Sequence, residues 1–77
     1  MIEHRDAPTA ADPRRTRAFV GAPGEPVSRI YELHQGGLEC SRIARALGMS
    51  PYDVGEALAY SVAHVAEMMA DLEEEWT

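Results

Sequence analysis

The 77-residue chain has seven arginines, no lysine and thirteen acids, for a net charge of −6, with 45% hydrophobic and 26% charged residues. That composition describes one small folded domain and excludes a disordered tail. A single cysteine excludes an internal disulfide, no apolar run is long enough to span a bilayer, and Met1–Asp6 lacks the apolar stretch of a secretory signal, so the expected location is cytoplasmic.

The charge is unevenly divided. Before Ile30, five arginines stand against four acids; from Ile30 onward, only Arg42 and Arg45 stand against nine acids. A duplex reader presents a basic face, because neutralising phosphates supplies much of its affinity. Here the part expected to fold is acidic.

Residues 1 to 24 contain Pro8, Pro13 and Pro23 with Ala, Asp, Thr and Arg between them, a composition that opposes a helix of any length. They read as a largely irregular arm, with a possible short strand near residues 16 to 20 and a turn at Gly21–Gly24. Arg14, Arg15 and Arg17 make this arm a candidate for contact with phosphate or with an acidic partner. Arg14-Arg15 reads as a chance match to a twin-arginine export signal, because only Ala18 to Ala22 stand between the pair and Pro23.

Residues 25 to 77 read as a three-helix core with an extended C-terminal helix. The first helix is expected from Pro26 or Val27 to Gln35, where proline suits a first turn and Gly36-Gly37 ends the run. The second runs from about Glu39 or Cys40 to Leu47, with Arg42 and Arg45 pointing away from the Ile43, Ala44 and Leu47 face. Gly48 tolerates the left-handed backbone that closes a helix, and Ser50-Pro51-Tyr52-Asp53 carries the start of the next. Serine caps, proline takes the first helical position and Asp53 completes a capping box. Ala44, Gly48 and Val54 thus stand where a helix-turn-helix needs a small residue, a turn glycine and a branched wedge.

After Gly55 neither glycine nor proline recurs, so the last helix is expected to run on to Glu75. Leu58, Val62, Val65, Met69, Leu72 and Trp76 recur at alternating intervals of four and three, a heptad-like stripe. Its second half extends beyond what so small a core can bury, and an apolar stripe of that kind calls for a partner. The bland alternative is that the helix folds back over Phe19 and Val20. Val65, Met68, Met69, Leu72 and Trp76, with the acidic run Glu73, Glu74 and Glu75, are therefore the candidates for a dimer or partner interface. The DNA-contact candidates are Arg14, Arg15, Arg17, Arg42, Arg45 and Tyr52. Asp53 and Glu56 on the same helix would meet phosphate badly.

His4, His34 and His64 lie thirty residues apart and lack metal-ligand spacing, and Cys40 has no partnering base. There is no phosphate-binding glycine loop, nucleophile motif or paired-carboxylate constellation. The expectation is a non-catalytic protein with no cofactor.

Pro26-Val27, the run Ile30 to Leu33, Gly36-Gly37-Leu38, Ile43-Ala44, Leu47, Val54 and Ala57-Leu58-Ala59-Tyr60 together resemble the family called domain of unknown function 433, over about residues 20 to 66. The resemblance implies a small, dimeric helix-turn-helix protein of antitoxin-like kind, whose relatives often sit beside a ribonuclease toxin. The expected fold class is therefore all-α. The expected function is neutralisation of a partner, such as a nuclease toxin, by a homodimer through its acidic C-terminal helix. The alternative is a helix-turn-helix DNA-binding transcription regulator. The two overlap, since antitoxins of this kind often repress their own promoter.

Overall fold

The computed structural model describes residues 2–8, 10–21 and 24–75, with side chains described through Glu73. Three antiparallel strands precede four helices: β1 (Ile2–Asp6), β2 (Thr16–Val20), β3 (Glu25–Pro26), α1 (Val27–Gln35), α2 (Cys40–Leu47), α3 (Pro51–Ala63) and α4 (Val65–Glu75). The fold is thus mixed α/β, which corrects the all-α expectation and, with it, the irregular N-terminal arm.

The arm forms a sheet because β2 has something to bury. Ala18 and Val20 alternate onto one face and are both about 1% exposed. β1 pairs along the whole of β2, with Ile2 opposite Val20 and Asp6 opposite Thr16, while β3 pairs on the other edge, Phe19 opposite Pro26. The ladder continues one bond past β1, as the Ala7 amide donates to the Arg15 carbonyl at 2.9 Å. On the outer face the Arg5 guanidinium lies over the Phe19 ring, 4.9 Å from its centroid. The same guanidinium occupies the space a side chain at residue 24 would take. A Cβ there would approach it to 2.5 Å, and the backbone φ of +120° already demands glycine.

The helices follow from local chemistry. Gly48 adopts φ 67°, ψ 35°, and the Met49 amide reaches back to the Ala44 carbonyl at 2.8 Å, closing α2 with a left-handed residue. Ser50 then caps α3, its hydroxyl accepting from the Tyr52 amide at 3.2 Å, with Pro51 in the first turn. The cap rests on serine; Asp53 makes no hydrogen bond that would complete a box. Val27, Ile30, Ile43, Val54 and Ala57 are fully buried and form the seam of α1, α2 and α3.

The long C-terminal helix is also corrected: it is two helices. His64 leaves helical geometry at φ −133°, ψ 46°. Just before it, the buried Ser61 hydroxyl donates to the Leu58 carbonyl at 2.8 Å, a back-bond that bends helices. The break changes which residues face inward. Val62, Val65 and Met69, three members of the heptad-like stripe, are 75%, 44% and 58% exposed, whereas Met68 and Asp71 are buried. A continuous helix would have placed neither Met68 nor Asp71 inward by that repeat. The break lets α4 pack against α1, and a buried Met68 adds about 1.5–3 kcal/mol of apolar burial.

Candidate interaction surface

The outer face of α3–α4 is set by a polar cluster on its inner side. Asp71 is about 1% exposed and forms an ion pair with Arg15, which lies just before β2. Arg17, two residues on, donates to Ser28 Oγ at 2.7 Å, tying β2 to α1. A buried carboxylate without a cation would be strongly destabilising. The rotation of α4 about its axis is therefore fixed by where Arg15 stands. With Asp71 turned in toward Arg15, Met68 is turned in and Met69 is turned out.

A second set of contacts holds the other end of α4. Tyr60 on α3 donates its hydroxyl proton to Glu67 Oε2 at 2.8 Å, and its oxygen lies 2.8 Å from His4 Nε2 on β1. His64 stacks on the Tyr60 ring, centroids 4.2 Å apart, and its Nδ1 lies 3.8 Å from Glu67. His4 Nε2 is 3.7 Å from the other Glu67 oxygen. Strand, helix and junction thus converge on one carboxylate.

The electrostatics follow from burial. Desolvation, with the hydrogen bond to Glu67 and the charges of Glu67 and Asp71, pushes the Tyr60 phenol up to about 12. Burial pushes the Asp71 carboxyl up from its ordinary value against the opposing hydrogen bond and charge of Arg15 and the charge of Arg17; Glu67, four residues earlier, adds to the rise. Among the described residues, no group of three or more histidine, cysteine, aspartate and glutamate side chains is arranged to hold a metal ion.

Val62 on α3 and Val65 and Met69 on α4 are exposed, as are the small residues Ala59, Ala63, Ala66 and Ala70 of the same two helices. Between Glu56 and Glu73, Glu67 is half-buried and held by Tyr60, Asp71 is buried, and His64 is the remaining titratable side chain exposed on these helices. An uncharged stripe of valine, methionine and alanine on a chain of net charge −6 is suited to another helix.

The sequence-derived candidates divide accordingly. Arg15 and Arg17 face inward to Asp71 and Ser28, while Arg14 is exposed in the connection before β2. Arg42 and Arg45 are exposed on α2, and Tyr52 is 77% exposed at the start of α3. Val65 and Met69 lie on the outer face, Leu72 is half-buried and Glu73 is exposed, but Met68 belongs to the core. Glu74 and Glu75 are in α4 with side chains outside the described part, and Trp76 lies outside the described residues. Sequence reasoning missed Asp71, Tyr60, Glu67, Ser28 and His4 as positioning residues. An acid at an inward helical position was the available signal for Asp71, and only the helix break gives that position its meaning.

No helix among the described residues is long and apolar enough to cross a membrane. Comparison with known proteins finds no matching family model, curated relative or solved structure.

Proposed function

We propose that the chain is a non-catalytic, antitoxin-like helix-turn-helix protein that pairs with a second copy and occupies a partner protein, a nuclease being the kind of partner its charge suits. The observation that carries this reading is the exposure of three large apolar side chains, Val62, Val65 and Met69, on α3 and α4. An apolar helical face of this kind pairs with another helix. The acidic end of α4, residues 73 to 75, complements the basic groove in which a nuclease holds its substrate, and such complementarity speeds and directs association. The resemblance to the domain of unknown function 433 family, read from Gly36-Gly37-Leu38 and Ala57-Leu58-Ala59-Tyr60, points the same way.

The test is co-purification of the chain with the product of the neighbouring gene, followed by a ribonuclease assay on the partner with and without it. A stable complex and a silenced nuclease support the proposal; no complex and unchanged cleavage refute it.

A DNA-binding regulator is the second reading, favoured by the exposed Arg42, Arg45 and Tyr52 around the α2–α3 turn. Against it, Asp53 and Glu56 lie on the first turns of α3, and Arg15 and Arg17 are engaged within the domain. Arg29 is exposed but pairs with Glu25, four residues earlier in β3. The three other exposed guanidiniums (Arg14, Arg42 and Arg45) neutralise few phosphates, so the logarithmic salt slope would be no steeper than roughly −3 per copy. A steeper slope, measured by fluorescence anisotropy on a promoter-region duplex, would favour the DNA reading.

A further inference from the structure

Away from the α3–α4 face, a shallow hollow of about 350 Å³ is lined by Leu38, Arg42, Arg45 and Ala46. We infer that this hollow is a docking site for a short acidic–apolar peptide segment of a partner protein, one carboxylate bridging Arg42 and Arg45 while a neighbouring apolar side chain lies on Leu38 and Ala46.

Three features support it. Both guanidiniums are exposed three residues apart on α2, so they flank one another on the same side of the helix. Neither forms an ion pair or hydrogen bond with a described residue, although Glu39 lies only three residues before Arg42. They are the only two arginines from Ile30 onward, set in a region with nine acids, and the structure leaves both facing solvent.

The floor is also held in place. The Leu38 amide donates to the Leu33 carbonyl at 3.2 Å, and the Leu38 carbonyl lies 3.1 Å from His34 Nδ1, in reach of its proton. Leu38 thus presents its side chain from a fixed backbone, which lowers the ordering cost of binding. A planar guanidinium accepts a carboxylate in a two-pronged geometry, and two of them on one helix face select for acid.

A peptide fits better than a nucleic acid. Two cations release few counterions from a phosphate backbone, so a duplex gains little from this contact. A single carboxylate beside an apolar side chain uses both the cations and the apolar floor. This inference is independent of the pairing face on α3–α4, whose residues it does not share.

The experiment is fluorescence anisotropy of the full chain with a labelled, C-terminally amidated hexapeptide carrying one glutamate flanked by leucines, with its glutamine version and a twelve-base-pair duplex as controls. The glutamate peptide is expected to bind, with affinity falling as salt rises, and the glutamine version to bind at least tenfold more weakly, on the order of one lost charged hydrogen-bonded pair. R42Q/R45Q is expected to lose at least tenfold while its circular dichroism is unchanged, because both side chains are exposed. A46W, which fills the hollow and leaves both arginines, is expected to weaken binding as well. The inference is overturned if the peptide fails to bind at millimolar concentration, or if either variant binds it as tightly as the original chain. It is overturned in favour of phosphate recognition if the duplex binds more tightly than the peptide and depends on the same two arginines.

Discussion

Replacing Arg15 with methionine tests the claim that a buried ion pair fixes the rotation of α4. The change keeps most of the aliphatic stem but leaves Asp71, whose side chain is about 1% exposed, without its cation. Breaking a buried pair by removing one partner costs about 3–5 kcal/mol. Because the Arg15 side chain is itself 18% exposed, some water reaches the pair, and the lower end, about 3 kcal/mol, is the appropriate figure. In a domain of this size each kcal/mol moves Tm by roughly 4–8 °C, so R15M should melt about 12–24 °C lower. Replacing both partners, as R15M/D71L, removes the orphaned charge together with its cation and should recover most of that loss. The assay is thermal and urea unfolding followed by circular dichroism on the two single variants and the double. Single losses below about 1 kcal/mol, or a double variant no more stable than the sum of the singles, would refute the reasoning. The pair also has a pH signature. Burial holds the Asp71 carboxyl above its ordinary value, so its contribution to stability is full below that value and declines as pH rises through the raised one. D71N, which cannot ionise, should therefore gain on the original chain as pH rises across that window.

Met68→Ala should cost about 2–5 kcal/mol, whereas Met69→Ala, one residue on but exposed, should cost no more than about 0.5 kcal/mol in the same unfolding assay. The reverse order would mean that α4 sits in the other register. Spectrophotometric titration should show a phenol ionising at about 12, and that step should be missing from Y60F. Because that phenol is raised in the folded state, its contribution to stability should be full below pH 10.0 and lost as pH rises through about 12. Gly48→Ala forces a side chain into φ 67° and should lower stability by about 1 kcal/mol, read from the urea midpoint.

What the chain disclosed in advance was chemistry carried by neighbouring residues. Gly48 in the left-handed region and the Ser50-Pro51 start of α3 are local devices, with causes that lie within three or four positions, and both are legible in the sequence. β1 was not legible. Ile2–Asp6 is rich in charge and without alternation, and it becomes a strand only because Thr16–Val20 offers a ladder ten residues later. The stripe from Leu58 to Trp76 misled for a related reason. A repeat counted along one helix assumes unbroken phase, and the break at His64 resets it: Val62 of the first half is exposed, and Met68, an interface candidate, is buried, while Met69 is exposed as expected. Asp71 was hidden more deeply still, since a buried acid is readable only with its cation, and Arg15 lies 56 positions away. On the candidate surface, Val65 and Met69 were foreseeable as apolar residues beyond the core. Their exposure depends on contacts made by Tyr60, Glu67 and His4, which no spacing announces.

The central claim is that the uncharged α3–α4 face pairs with a second copy. Light scattering over a range of concentrations, on the original chain and on V62D/M69D, tests it most directly. Both substituted positions are exposed, so the variant should fold unchanged. The account predicts that the original chain approaches about 17 kDa, twice its 8.5 kDa, while the variant remains at 8.5 kDa. An original chain that stays at 8.5 kDa at every concentration, or a variant that keeps the doubled mass, would contradict it.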